Sequence, residues 1–580
     1  MPLTLENDKV TNWTVRKIAV VGPGIVGMPM AAMLAHARIK EGSTEPAKVV
    51  VVQRNSPTSG WKVDSINAGK SPIGGIEPDL DRVVKESVAA GLLSAAHGYD
   101  ALADADMILI SVQTDKKGAA PDYGPMFEAL TGIALALQKR PKGNVPVIVF
   151  ESTLAPSSMA TVITDHFAKH GLIEGKDILL GNSPNRVMPG RLVERVAASD
   201  KIIAGLHPET PGLIRRIYSK IVTKGELHAT NSMTAEVVKT LENAYRDVRI
   251  AYAAEVVRYC DAQDIDFFAL RDAVNTKAKQ EDTASSDPQA VPSGGLLVPM
   301  LGVGGHCLPK DGVLLWWRAL EAGEDNSRSL ILESRRINDE SPAETLRLAE
   351  RAFGSLKGKQ VALLGAAYRG NSEDTRNSPT LYFAKVLRAH GVTVHIHDPY
   401  VYSTDANLKH FGMTDVFTQN LAEALRSAEV IVLCCPHRVY SDDWSSVLKL
   451  ARRAKYVVDA CNLLQSDLVA RAGVTYAGIG RGRQVPSASL VDAVYSGFRA
   501  VETGVGNEVS ELVQFLNARY APTPFNRVQF SEVQRIAATC PTGCAIVDAG
   551  ATLQPPASAF RSQLVQRALG AVAAPVTTFA

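Results

Sequence analysis

The sequence predicts an α/β protein in which two doubly wound layers of parallel strands flank a helical middle, joined by one long central helix. Three observations carry that expectation. Short runs of continuous apolar, often β-branched residues recur in both halves of the chain, the pattern of strands buried on both faces. Helical stretches separate several of these runs. Between the halves, residues 231–260 keep apolar residues at helical spacing with no Pro or Gly, enough for a helix of roughly 45 Å.

The first layer begins at Lys17 with KIAVVG, a strand running into a Gly-rich turn and then a helical pattern. VVVVQ (49–53), ADMILISV (105–112), VPVIVFEST (145–153) and DILLGNSP (177–184) supply four more buried strands. After the long helix, further helices extend to about Lys277, and the polar, Pro/Gly/Ser-containing stretch 280–295 reads as a surface loop. A second layer starts near Gly358, with VALLG (361–365), VTVHIHD (392–398), EVIVLCC (429–435) and YVVDAC (456–461) as its strands. Beyond about Gly482 the pattern weakens. Residues 498–520 read as one helix or two, and the Ala- and Pro-rich end as partly disordered.

Composition narrows the function classes. A chain of 580 residues is too long for one core, so two or three domains are expected. A formal charge of +2 gives no electrostatic footprint for nucleic acid or for an anionic membrane surface, and neither is expected as a partner. Seven cysteines, sparse and odd in number, make a poor disulfide framework and fit a reducing compartment. No Cys-x-x-Cys pair stands near a His pair, so no metal site is expected. The apolar runs are strand-length, and the first residues carry no apolar core of a signal peptide; a cytoplasmic location is expected.

Gly22, Gly24 and Gly27 form G-x-G-x-x-G between a strand and a helix, the context in which that motif binds a dinucleotide in a Rossmann-like domain. Gly22 allows the tight turn, Gly24 the approach of a diphosphate, and Gly27 close helix packing. The next strand, which ordinarily ends in a ribose-binding carboxylate, ends in Gln53-Arg54. Gln53 can still bond a hydroxyl. Arg54 suits a 2′-phosphate, or simply points to solvent, so both NAD and NADP stay open here. A second dense stretch, GGHCLPKD at 304–311, sets Cys307 between glycines and a Pro-Lys-Asp turn. That suits a nucleophile whose pKa Lys310 or Lys239 lowers; a structural thiol also fits. Lys239 and Asn243 share a helix face at i and i+4, suited to holding an oxyanion, or to facing solvent.

Several motifs in order resemble the UDP-glucose/GDP-mannose 6-dehydrogenase family: GPGIVG (22–27), SPI (71–73), EST (151–153), SPNRVMPG (183–190), AEVVKTLENAYRD (235–247), GGHCLPKD (304–311) and GAAYRGNSEDTRNSP (365–379). The resemblance covers about residues 15–485. It implies oxidation of a sugar C6 hydroxymethyl group to a carboxylate with two NAD. Cys307 would carry the thiohemiacetal and thioester, Lys239 and Asn243 would stabilise oxyanions, and Asp311 would support proton transfer with an ordered water near Thr114. Ile25 and Val26 in the Gly-rich turn, Thr114, Thr153 and Arg376 would contact the cofactor. Asn185, Arg186, Val187, Arg246, Gly304 and Arg369, with Lys239 and Asn243, would contact the nucleotide sugar.

The resemblance implies an NAD-binding domain at 15–230, a central helical dimerisation domain with the cysteine loop at 231–330 and a UDP-sugar-binding domain at 331–485. It leaves 486–580 as an extension of no assigned role. Within the family the sequence is most similar to the branch acting on UDP-N-acetylhexosamines, UDP-N-acetylmannosamine first and UDP-N-acetylglucosamine next; UDP-glucose and GDP-mannose are the further alternatives. The departures are Asn185 where Glu is usual, Arg369 where Lys is usual, and Gln53 in place of an acid. Asn185 cannot act as a base, so either Asp311 with water carries the hydrolysis or it is slow, and the departure supports a non-catalytic nucleotide-sugar binder as one competing reading; a two-electron dehydrogenase, which would not need Cys307, is the other. A homodimer is expected, because the long helix presents an apolar stripe suited to its symmetry mate.

Overall fold

The computed structural model describes the whole chain except residues 7–8, 75–76, 187–189, 282–294, 465–472, 541–542, 545, 547–559, 561, 572–575 and 577–580. Val187 and nearly all of the 280–295 loop therefore lie outside the described residues. The chain forms two compact units. The first comprises Met1–Glu242, Leu314–Ala322 and Val509–Pro541; the second comprises Asn243–Val313, Gly323–Glu508 and Thr542–Ala580.

The first unit is built on an eight-stranded sheet. Its spatial order is Leu227–Asn231, Lys201–Gly205, Leu179–Asn182, Val147–Phe150, Met107–Ile110, Lys17–Val21, Lys48–Val52 and Leu93–Ala96. Alternate side chains supply two cores, one on each face. Ile18, Val20, Val49 and Val51 join helix Gly27–His36 on one side. Ala19, Val21, Val50, Val52, Ile108 and Ile110 join helix Gly124–Leu137 on the other. Burial on both faces explains why these strands read as unbroken apolar runs.

The sheet departs from the all-parallel expectation at one joint. Leu179–Asn182 and Lys201–Gly205 pair antiparallel, with Gly181 opposite Gly205. A Cβ on Gly181 would meet the Ala204 carbonyl at 2.6 Å, so a small residue is required there. Lys17–Val21 sits between Lys48–Val52 and Met107–Ile110, where the strand order reverses direction. In such sheets that crevice at the carboxyl ends receives ligands.

Helix Ser232–Ala262 has 31 residues. It starts at Asn231, whose side-chain oxygen accepts the Thr234 N–H at 2.8 Å. The boundary between the two units falls inside this helix, after Glu242. The second unit carries a six-stranded, wholly parallel sheet in the order Phe417–Thr418, Thr393–His397, Gln360–Leu364, Val430–Leu433, Tyr456–Asp459, Thr475–Gly478. Two Rossmann-like α/β layers and a helical middle are thus present.

The C-terminal part is helical over much of its described length, while most of the Ala- and Pro-rich end lies outside the described residues. One helix, Ala488–Tyr520, runs for 33 residues. Helices Phe530–Ala537 and Gln563–Ala568 follow. In the second unit this segment covers the long helix: Tyr252 Oη donates to the Val494 carbonyl at 2.8 Å, and its ring lies 5.0 Å from that of Phe498. The stripe behind the homodimer expectation is therefore closed by the chain's own residues. Among the described residues no helix is long and apolar enough to cross a membrane. Cys260, Cys434, Cys435 and Cys461 are buried thiols outside any disulfide.

Candidate active site

In the first unit the Gly-rich turn divides its work among three glycines. Gly22 has φ +92°, and a Cβ there would meet the Ser111 carbonyl at 2.7 Å. Gly27 opens its helix so close to the turn that a Cβ would lie 2.1 Å from the Gly22 carbonyl oxygen. Gly24 faces nothing within 4 Å. Two glycines therefore fold the turn, and the third leaves its open side uncovered. Val26 precedes the helix and no side chain caps its start, so N–H groups and the positive end of the dipole lie beside Gly24. Ile25 is exposed. A dinucleotide diphosphate fits this cradle.

At the end of Lys48–Val52, the Gln53 amide donates to Ser59 Oγ at 2.9 Å and to the Arg54 carbonyl at 3.3 Å. Among the described residues no donor meets its Oε1, which suits a ribose hydroxyl. Arg54 is paired with Glu128 at 3.2 Å, both well exposed. Thr114 is 4% exposed, and its hydroxyl donates to the Thr153 carbonyl at 2.9 Å, joining the loops after Met107–Ile110 and Val147–Phe150. The Asn185 N–H donates to the Glu151 carbonyl at 3.3 Å. Arg186 turns inward: its guanidinium pairs with Glu242 and donates to Thr539 Oγ1 at 2.8 Å and the Ile536 carbonyl at 2.9 Å. Lys239, one turn before Asn243 on the long helix, is 8% exposed.

In the second unit Cys307 is exposed and immediately precedes helix Leu308–Glu321. Its carbonyl accepts the first helical bonds, from Lys310 N at 3.1 Å and Asp311 N at 3.0 Å. A thiolate there gains from the helix dipole. The preceding glycines serve docking: a Cβ on Gly304 would meet Tyr368 Cβ at 2.4 Å, and Gly305 has φ +88°. Gly305 N–H donates to the Arg376 carbonyl at 2.8 Å, and Asn377 Nδ2 donates to the Gly305 carbonyl at 2.9 Å.

Arg376 forms a two-pronged pair with Asp374 at 2.9 and 2.6 Å. That bonding, more than its burial opposes, holds the guanidinium pKa above the usual range, and Cys307 lies within its electrostatic reach. Lys310 takes a different part from the expected one. Only 2% exposed, it gives its charge to Asp311 at 2.7 Å. The other Asp311 oxygen accepts from Asn243 Nδ2 at 2.6 Å. Lys310, Asp311 and Asn243 thus form one hydrogen-bonded chain, and Arg376 is a cation within electrostatic reach of the sulfur. Arg246 lies one turn beyond Asn243, half-buried, and Arg369 is exposed in the loop after Gln360–Leu364.

That loop cannot repeat the first unit's cradle. Asp398 is fully buried, and its Oδ2 accepts from Ala366 N at 2.7 Å and Ala367 N at 2.9 Å. Burial pushes this carboxyl up, but the His437 bond and the backbone N–H groups outweigh it and hold it below the usual range. The His437 Nδ1 accepts the Asn371 N–H at 2.8 Å while Nε2 donates to Asp398 at 3.0 Å, which fixes the neutral tautomer. The amides that lie open beside Gly24 are here filled by a carboxylate.

Sequence reasoning missed several residues that brace these loops. Glu151 accepts from Lys201 at 2.7 Å and from Tyr218. Glu236 accepts the Ser157 and Met159 N–H groups, each at 2.8 Å, and burial lifts its carboxyl to about 8 against those bonds. Glu151, Glu236 and Tyr368 lie inside motifs already quoted but carried no assigned role there, and Thr539 lies in none of them.

Known proteins match this chain along most of its length. Models of the UDP-glucose/GDP-mannose dehydrogenase family fit residues 16–222 (NAD binding domain), 233–340 (central domain) and 362–466 (UDP binding domain). The UDP-N-acetyl-D-mannosamine dehydrogenase of Pyrococcus horikoshii is 31% identical over 471 residues, covering 80% of this chain and 99% of that protein. The NDP-N-acetyl-D-galactosaminuronic acid dehydrogenase of Ralstonia nicotianae is 29% identical over 445 residues, covering 75% and 93%. The crystal structure of the NDP-N-acetyl-D-galactosaminuronic acid dehydrogenase from Methanosarcina mazei Go1 superposes with a TM-score of 0.66 at 29% identity, covering 81% and 96%.

Proposed function

The chain belongs to the UDP-glucose/GDP-mannose dehydrogenase family, whose members are NAD-dependent nucleotide-sugar 6-dehydrogenases, and from that premise we propose that it oxidises the C6 hydroxymethyl group of a UDP-N-acetylhexosamine, UDP-N-acetylmannosamine first, to the uronic acid. The relatives named for N-acetylhexosamine substrates support that choice of sugar. In this reading residues 15–230 hold the cofactor, 231–330 supply the cysteine loop, and 331–485 hold the uridine diphosphate. The filled loop at Ala366–Ala367 supports nucleotide-sugar rather than a second nicotinamide in the last of these. Seven cysteines, sparse and odd in number, favour a cytoplasmic setting.

NAD, when bound, would supply the hydride acceptor, and two NAD would be reduced in turn for each sugar. Gly22, Gly24, Ile25, Val26 and Gly27 would seat its diphosphate and Gln53 Oε1 would take a ribose hydroxyl; the resemblance also assigns Thr114 and Thr153 of the first unit, and Arg376 of the second, to the cofactor. The Arg54–Glu128 pair disfavours a 2′-phosphate and so supports NAD over NADP. The resemblance assigns Asn185 and Arg186 of the first unit, Val187 outside the described residues, and Arg246, Gly304 and Arg369 of the second unit to the nucleotide sugar.

The chemistry then runs in four steps. The C6 alcohol loses a hydride and a proton, giving the aldehyde. The Cys307 thiolate adds to that carbonyl, a C–S bond forms, and Lys239 and Asn243 hold the oxygen. Loss of a second hydride leaves a thioester. Water, steered by Asp311, attacks the acyl carbon; the C–S bond breaks, the carboxylate leaves, the thiolate returns, and the two protons of the water pass to solvent. Asn185 takes no proton in this scheme. The observation that carries the proposal is an exposed Cys307 at a helix start, coupled to Arg376 and set on the Asn243–Asp311–Lys310 chain.

The test is a panel of UDP-sugars and GDP-mannose with NAD and NADP separately. The expected result is two reduced cofactors per UDP-N-acetylmannosamine, and no uronic acid from Cys307→Ala. One reduced cofactor per sugar, or an unimpaired Cys307→Ala, refutes the scheme.

A further inference from the structure

The C-terminal extension reaches the sugar loop. Residues 524–539 lie past the last family match, which ends at residue 466. They are nonetheless fastened to the first unit around that loop. Asn526 Nδ2 donates to the Leu206 carbonyl at 3.1 Å, and Asn231 Nδ2 donates to the Arg527 carbonyl at 3.0 Å. Asn517 grips both backbone groups of Val528, each at 2.8 Å. Helix Phe530–Ala537 then ends against Arg186.

The contact is built for a guanidinium. The Ile536 carbonyl belongs to the last turn of its helix, the negative end of the dipole, where a cation is favoured. Arg186 Nη2 donates to it at 2.9 Å, and Nη1 donates to Thr539 Oγ1 at 2.8 Å. Thr539 sends its own hydroxyl proton to the Ile536 carbonyl at 2.7 Å, which turns its lone pairs toward Arg186. Glu242 closes the third side of the guanidinium, and the two charged side chains are only 1% and 3% exposed. Arg186 directly follows Asn185, and Glu242 directly precedes Asn243. The extension therefore grips the point where the 183–186 loop meets the long helix.

We infer that Thr539 and the Ile536 carbonyl are positioning groups for the sugar site: they hold Arg186 against Glu242 and so fix the 183–186 loop at the hexose of the bound UDP-sugar. This rests on the loop being the sugar-binding one. A hydrogen bond to a charged group contributes enough that losing it changes binding about tenfold.

The test uses the full chain with Thr539→Val, which keeps the shape and loses the acceptor, and Thr539→Ser, which keeps it. Thr539→Val is expected to raise the KM for UDP-N-acetylmannosamine about tenfold while kcat and the KM for NAD stay near wild type. Amide exchange in residues 179–186 should quicken in the same variant without any substrate present, and Thr539→Ser should restore both readouts. An unchanged sugar KM in an active Thr539→Val enzyme overturns the inference, as does a loss shared equally with NAD. If wild type turns over no nucleotide sugar, the proposed function fails instead; loop exchange then decides whether Thr539 positions Arg186, and unchanged exchange overturns the inference.

Discussion

Gly24 and Gly27 stand three residues apart in one turn, yet the structure gives them opposite tolerances. A methyl on Gly27 would press on a backbone oxygen at 2.1 Å, and backbone cannot swing aside. Gly27→Ala is expected to destabilise the first unit by about 3 kcal/mol or more, read as a lower thermal midpoint without ligand. A methyl on Gly24 meets nothing, so Gly24→Ala should fold within about 0.5 kcal/mol of wild type and bind NAD at least about tenfold more weakly, by titration calorimetry. Equal thermal losses in the two variants would contradict this division. The motif was legible because it records what the backbone demands locally. The Glu151–Lys201–Tyr218 network was not, because its partners come from strands and helices 50 and 67 residues from Glu151. The Arg54 partner, Glu128, is 74 residues away, and no local pattern announces it.

At the scale of elements, most central strands were legible and edge strands were not; the inner strand Lys201–Gly205, buried at every position, was passed over. Val147–Phe150 and Val430–Leu433 are buried at every position and read as apolar runs. Leu93–Ala96 and Thr475–Gly478 lie at sheet edges, half-buried, and lack that signature. The turn after Thr475–Gly478 is pinned to the long helix by Asp261, which accepts the Gly480 N–H at 2.8 Å. Burial lifts this carboxyl from 3.8 to about 7, with that bond and Arg351 opposing the shift. The folded state therefore prefers the protonated acid. Its contribution is complete below pH 3.8 and is lost as pH rises through about 7. Asp261→Asn keeps the acceptor oxygen and never ionises. Its urea midpoint should match wild type near the acid end and exceed it at pH 8, by on the order of 2–4 kcal/mol. A gap that stays constant with pH would exclude ionisation of Asp261 as its source.

For the molecule as a whole, the stripe on the long helix was legible and its occupant was not. Sequence periodicity marks a face that must be covered, but a second copy and a distant segment of the same chain satisfy it equally. Here the segment is internal. Tyr245 Oη bonds Glu502, and Gly497 approaches so closely that a Cβ would lie 2.6 Å from Tyr252 Oη. Phe560 stacks edge-on to Tyr252 and Tyr259 at 6.2 and 5.4 Å. Glu255 caps helix Gln563–Ala568 through Ser562 Oγ and Gln563 N, both at 2.6 Å. Among the described residues no large apolar side chain of the long helix remains exposed. A homodimer through this face would have to displace contacts already made within one chain, where they need no second molecule to be ordered. Sedimentation of the full protein at micromolar concentration is therefore expected to give a 62.1 kDa species, with amide exchange in the 243–262 stretch independent of protein concentration. Gly497→Val should lift the covering helix from Tyr252 and bring in concentration-dependent association. A wild-type particle of twice the mass, whose assembly slows exchange along that same helix, would mean that the stripe still finds its partner in another copy.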